Sequence, residues 1–169
     1  MVIAPSLAML NNLKLIYGDF DNYRVIPNGS NVIPFNRSKE KFVFSAGRIW
    51  DEAKNMRILH KASESISWPV VIAGENKKPD GGKAKFTGVH LAGLLSKDRL
   101  VERMSRAAIF ALPAKYEPFG LSILEAASCR CALVLGDIES LHEIWAEAAI
   151  YIDPDDHEQL TKKINQLID

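Results

Sequence analysis

This 169-residue chain has no excess of either charge: 21 lysines and arginines balance 21 aspartates and glutamates, with no basic block. Nucleic-acid binding works through clustered cations, so no nucleic-acid partner is expected. No apolar run approaches the ~20 residues of a membrane span. The start, MVIAPSLAML, lacks a basic n-region, so a signal peptide is not expected. The expected location is the cytoplasm, with peripheral contact at a membrane left open. Cysteine is scarce. Cys129 and Cys131 stand in a C-x-C spacing that disfavours a disulfide with each other. His60, His90, His142 and His157 are scattered without ligand spacing, so no metal site is expected and the cysteines read as reduced and structural. No G-x-G-x-x-G follows any strand, which removes the dinucleotide fingerprint, and no cofactor is expected.

What is present is an alternation of short apolar runs and amphipathic helices. KFVFSAG (41–47), PVVIAG (69–74), AIFALP (108–113) and ALVLGD (132–137) read as buried strands, and AIYIDP (149–154) as an edge strand. KFTGV (85–89) is a further candidate strand. Helices are expected over 55–66, 97–107 with Ser96 as N-cap, 122–129, 140–148 and 155–168. Continuous apolar strands between helices imply a parallel sheet covered on both faces, an α/β doubly wound, Rossmann-like domain of about six strands. Its ligands bind at the carboxyl ends of the strands. PSLAMLNNLKLIYG, near the start, reads as a helix with no preceding strand. It is joined to the rest by a short strand and an N-G turn in YRVIPNGSNVIPF.

Two groups of residues stand at those strand ends. Arg48 follows the strand-ending Gly47, and Lys54 sits near the start of the next helix. Two cations beside a helix N-terminus suit a diphosphate. The alternative is solvated surface charge, with Asp51 and Glu52 as partners. The stretch YEPFGLSILEAA (116–127) sets Glu117 and Glu125 eight apart. Pro118 biases Glu117 to an extended backbone, and Gly120 allows close approach of a ligand. The amides of Phe119, Gly120 and Leu121 would then point toward whatever Glu117 holds. A carboxylate beside free N–H groups suits a sugar. Glu125 has a second reading, as the partner of Ser122 in a capping box. Tyr116 and Phe119 can wall a ligand, although core packing suits Phe119 better.

With these motifs in order, the chain resembles the C-terminal, donor-binding half of family 4 (group 1) glycosyltransferases, whose GT-B fold sets two Rossmann-like domains face to face. VIPNG (25–29), FSAGRIWDEAKN (44–55), VVIAG (70–74), GLLSKDRLVERMSRAAIFALPAKYEPFGLSILEAA (93–127), LVLGDIESLHEIW (133–145) and IDPDD (152–156) carry the resemblance. It implies a nucleoside diphosphate sugar as donor and hexose transfer, with retention, to an acceptor hydroxyl on a glycan or lipid. It implies Arg48 and Lys54 on the donor diphosphate, Glu117 on the donor sugar and Glu125 on the nucleotide ribose. The base would lie near residues 86–95. Two departures stand out. Arg130 occupies a helix-end position where the family usually has glycine, and no acceptor domain is expected within these 169 residues. Residues 1–24 then read as a helix remnant of that domain with its linker, and 25–169 as the donor-binding domain. A non-catalytic nucleotide-sugar binding module, or an inactive fragment that pairs with a separate N-terminal domain, is the alternative function.

Overall fold

The computed structural model describes residues 1–83 and 86–169. In chain order the elements are β1 (Val2–Ala4), α1 (Leu7–Tyr17), β2 (Tyr23–Val25), β3 (Glu40–Ala46), α2 (Met56–Ser63), β4 (Val70–Ala73), β5 (His90–Gly93), α3 (Lys97–Arg106), β6 (Ala107–Leu112), α4 (Leu121–Ser128), β7 (Ala132–Gly136), α5 (Glu139–Trp145), a single 3-10 turn at Ala146–Ala148, β8 (Ile150–Ile152) and α6 (His157–Ile168).

The apolar runs become a six-stranded sheet in the order β5-β4-β3-β6-β7-β8, parallel at every pairing. Both faces are covered, so the central strands need no polar alternation: all four residues of β4 are buried, as are Phe42 to Ala46 of β3. The Phe44 and Phe110 rings, on adjacent strands, lie 6.3 Å apart and are fully buried. α2 buries Met56, Ile58, Leu59 and Ala62, and α6 buries Leu160 and Ile164. The chain builds outward from β3 to β5 and then returns to the other side of β3 with β6. That reversal opens a crevice between the loops after β3 and β6, where ligands of open α/β sheets bind.

Two glycines let the strand ends close up. A Cβ on Gly74 would lie 1.7 Å from the Gly47 carbonyl oxygen, and one on Gly136 would lie 2.2 Å from that of Ala114. Both cysteines are free and buried, as expected. The Cys131 thiol packs 3.1 Å from the Met104 carbonyl oxygen, and burial pushes its pKa up to about 11. Arg130 is left-handed at φ 63°, in the conformation that favours glycine. Among the described residues no helix is long and apolar enough to cross a membrane.

Three local expectations change. The strand expected at 85–89 is instead β5 at His90–Gly93, paired with β4 through Val71–His90 and Ile72–Leu91. Gly88 is left-handed at φ 76°, which interrupts an extended backbone before that point. Lys85 lies outside the described residues. Ser96 occupies the N-cap position of α3, but its side chain makes no capping bond. The helix near the start is not isolated, because β1 precedes it and pairs in parallel with β2 in a β-α-β unit. Three-residue strands carry too little hydrophobic pattern to be seen in sequence.

Candidate functional site

The site is assembled by the two loops flanking the crevice. After β3, the chain turns through Arg48 to Asn55 into α2. Asn55 takes a left-handed conformation at φ 55°, tolerable for its short polar side chain. Its amide donates to the carbonyl oxygens of Pro113 at 2.9 Å and Pro154 at 2.6 Å. After β6, Lys115 and Tyr116 donate their amides to the Ala53 carbonyl oxygen, at 2.9 and 3.3 Å. The two loops are thus sewn together by backbone bonds, and this brings Lys54 to Glu117.

Lys54 Nζ donates to Glu117 Oε2 in an ion pair between residues 63 apart in sequence. Glu117 Oε1 accepts from the Gly120 amide at 3.0 Å. Glu117 is 8% exposed, the one charged residue among the buried polar side chains described. A carboxylate in so dry a setting needs its partners, since an unpaired buried charge is costly. The Glu117 carbonyl oxygen accepts from Ser140 Oγ at 2.6 Å. Around the pair lies a cleft of about 300 Å³ lined by Asn28, Pro118, Phe119, Gly120, Leu121 and Ser122. Gly120 sits at φ 87°, and a Cβ there would meet Ile123 Cδ1 at 2.6 Å. A larger cavity of about 750 Å³ lies beside α2, with Trp50, His60 and Phe86 among its walls. It contains none of the sequence-predicted site residues.

Of those residues, Lys54, Glu117, Phe119, Gly120 and Leu121 share the cleft. Phe119 is also 6% exposed, the burial expected of a packed side chain, and it lines one side of the cleft. Gly47 directly follows β3, with its amide on the Ala73 carbonyl oxygen at 3.0 Å. Arg48 stands outside the cleft lining, with its guanidinium on Asp51 Oδ2 at 2.6 Å and its side chain 61% exposed. It therefore takes the surface pairing that sequence offered as the alternative, and the Trp50 ring lies 5.4 Å beneath it. The capping-box reading of Glu125 is overturned. α4 begins at Leu121 with Gly120 in the N-cap position, so Ser122 already lies inside the helix and forms no cap. Among the described residues the Glu125 carboxylate has no hydrogen-bond partner and is half-buried.

Sequence reasoning missed Asn28, Ser6, Ser140 and Glu143. Ser6 is fully buried. It caps α1 by accepting from the Met9 amide and donates to the Pro118 carbonyl oxygen at 2.7 Å. The Leu7 and Ala8 amides donate to the two Glu143 carboxylate oxygens, at 2.7 and 2.8 Å. A Ser before a periodic apolar run is a capping signal, but nothing local links it to a loop 112 residues on. Among the described residues, no group of three or more histidine, cysteine or acidic side chains is placed to hold a metal ion.

Comparison with known proteins places this geometry in context. The family described as "Glycosyl transferases group 1" matches residues 31–169. O-antigen chain mannosyltransferase B of Escherichia coli is 33% identical over 78 residues, which are 46% of this chain and 20% of that protein. O-antigen chain mannosyltransferase RfbU of Salmonella typhimurium is 25% identical over 99% of this chain and 52% of its own length. Among solved structures, sucrose-phosphate synthase of Thermosynechococcus elongatus superposes with a TM-score of 0.82 at 21% identity, covering 99% of this chain and 48% of that one. Anabaena HepE, solved in complex with UDP-glucose, gives 0.78 at 19% identity over 100% of this chain and 54% of that one. The structural likenesses show the fold, one Rossmann-like half of a GT-B architecture. This chain spans about half the length of such full-length matches.

Proposed function

The chain belongs to the group 1 glycosyl transferases, and on that premise we propose that it is the donor-binding domain of a retaining glycosyltransferase. Its donor is a nucleoside diphosphate sugar, from which a hexose passes to a hydroxyl of a glycan or lipid acceptor. The observation that carries this reading is the Lys54–Glu117 pair in the crevice between β3 and β6, beside the amides of Phe119 to Leu121. Lys54 and Arg48 serve the diphosphate, Glu117 the donor sugar, and Glu125 the ribose. Arg48 exchanges Asp51 for the ligand. That is a low barrier, since an exposed ion pair contributes only ~0–1 kcal/mol. As the glycosidic bond breaks, negative charge grows on the departing diphosphate. Fixed cations there stabilise the transition state more than the ground state, and the reaction needs no metal in this reading.

In this reading residues 1–24 are the trailing part of a facing domain, and 25–169 bind the donor. The acceptor wall comes from that facing domain, contributed by further polypeptide or by a separate chain. Support comes from the full-length matches, which are about twice as long as this chain, and from the outer surface of the β1-α1-β2 unit. Ile3, Leu15, Ile16, Tyr17 and Ile26 are all at least half exposed there, the kind of apolar surface that marks an interface. Orientation of two reactants supplies ~7–11 kcal/mol of barrier lowering, so the 169-residue chain alone is expected to bind donor but not transfer sugar. Calorimetry with UDP, GDP and ADP and their hexose conjugates tests the reading. One of them should bind, and Arg48→Ala should cost about 1.5–3 kcal/mol of that binding, as for a charged hydrogen bond. Equal affinity of variant and parent would remove Arg48 from the site. Binding of none would remove the donor-binding reading itself. Transfer by the chain alone would show that it completes its own cleft.

A further inference from the structure

We propose that Ser6 and Ser140 are positioning residues that fix the Glu117 carboxylate, and that through Ser6 the N-terminal β-α-β unit is mechanically coupled to the sugar-holding loop. The inference rests on the donor-binding reading of Glu117. The loop from Pro113 to Gly120 is short of backbone anchors at its apex, because Pro118 has no amide hydrogen to donate. Two successive carbonyls there are held by serines instead. The Glu117 carbonyl oxygen accepts from Ser140 Oγ at 2.6 Å, and the Pro118 carbonyl oxygen accepts from Ser6 Oγ at 2.7 Å.

The two serines belong to one closed linkage. Ser140 and Glu143 lie three apart on α5, hence on one side of that helix. Ser140 grips the loop, while Glu143 takes the free Leu7 and Ala8 amides at the start of α1. Ser6, immediately before those amides, closes the circuit back to Pro118. Tyr116, at the other end of the apex, donates its hydroxyl to Met9 Sδ at 3.0 Å. Loop, α5 and α1 therefore restrain one another in a triangle. Ser6 is fully buried with both hydroxyl functions used, so it cannot relax toward water when the loop shifts. The side chain standing on this fixed backbone is Glu117, whose two oxygens are already oriented by Lys54 and Gly120. Rotation of the loop by a serine-sized gap would move that carboxylate relative to the sugar, whereas the diphosphate end would feel it only through Lys54, because Arg48 is held by Asp51 and not by this loop.

The measurable quantity is the sugar increment: how much more tightly the chain binds a nucleotide-sugar than the same bare nucleoside diphosphate. Calorimetry uses UDP with UDP-glucose, or GDP with GDP-mannose, whichever pair the parent accepts. Ser140→Ala, which leaves the α1 cap intact, and Ser6→Ala should each reduce the increment about 3- to 10-fold, the worth of one hydrogen bond. Affinity for the bare diphosphate, which keeps Arg48 and is touched only through Lys54, should fall by clearly less than the increment does. In a Glu117→Gln background the serine substitutions should have no further effect on the increment, since coupled residues are non-additive. Equal losses for sugar and bare diphosphate would show a purely structural role and overturn the proposal, as would an unchanged increment in both variants. A parent that binds the diphosphate with no sugar increment refutes the positioning claim and the Glu117 role together, leaving the diphosphate site standing. A parent that binds neither refutes the donor-binding reading.

Discussion

Replacing Lys54 with methionine removes the cation from Glu117 while keeping much of the side-chain volume. The carboxylate then keeps one donor, the Gly120 amide at 3.0 Å, in a side chain 10% exposed. Breaking a buried ion pair on one side costs ~3–5 kcal/mol. The variant has an escape, which is to take up a proton. For an ordinary glutamate at pH 7 that escape costs about 3.7 kcal/mol, and at pH 5 only about 1 kcal/mol. The smaller of the two routes decides, so the loss of stability should be about 3–4 kcal/mol at pH 7 and should shrink toward about 1–2 kcal/mol at pH 5. At ~2–4 °C per kcal/mol for a chain of this size, the melting temperature at pH 7 should fall by ~6–15 °C. Urea unfolding followed by the three tryptophans at both pH values measures the loss. Adding Glu117→Gln to Lys54→Met should recover about 1–3 kcal/mol at pH 7, because the stranded charge is gone. A loss below 1 kcal/mol, or one equal at the two pH values, would refute the buried-pair reasoning.

Other substitutions separate further readings. Glu125→Gln should leave the melting temperature unchanged, because Glu125 caps nothing, yet weaken nucleotide binding about tenfold as for a charged hydrogen bond. Unchanged calorimetric affinity would remove it from the site. Arg130→Gly should stabilise the chain by about 0.5–1 kcal/mol, since relief of a left-handed non-glycine residue outweighs the added freedom of the unfolded glycine; thermal unfolding reads this. The Cys131 thiol, raised by burial to about 11, favours its neutral form when folded. Its contribution is full below the ordinary thiol pKa and lost as pH rises through about 11. Native protein should resist iodoacetamide at Cys131 at pH 8, and stability should decline across the alkaline range less steeply in Cys131→Ala.

The sequence alone determined whatever repeats along one element. Buried strands such as VVIA in β4 are continuous apolar runs because both faces are covered, and that pattern needs no knowledge of the neighbours. The two glutamates of YEPFGLSILEAA were legible for the same reason, being eight apart around one loop and one helix start. The turn at Arg130 was not, because an arginine where glycine is usual leaves the backbone open, and the structure shows it left-handed at φ 63°. What joins elements was decided only in three dimensions. Lys54 meets Glu117 because β3 and β6 are neighbours at the reversal of strand order, and no periodicity records which strands pair. Arg48 pairs with Asp51 three residues on, and Glu125 lost its capping role because α4 starts at Leu121 with Gly120 as its N-cap. Ser6 carried a capping signal, but its reach to Pro118 spans 112 residues. Local preference is written residue by residue in the chain. Contacts between distant residues follow from how the covered sheet closes, and only the packed structure fixes that.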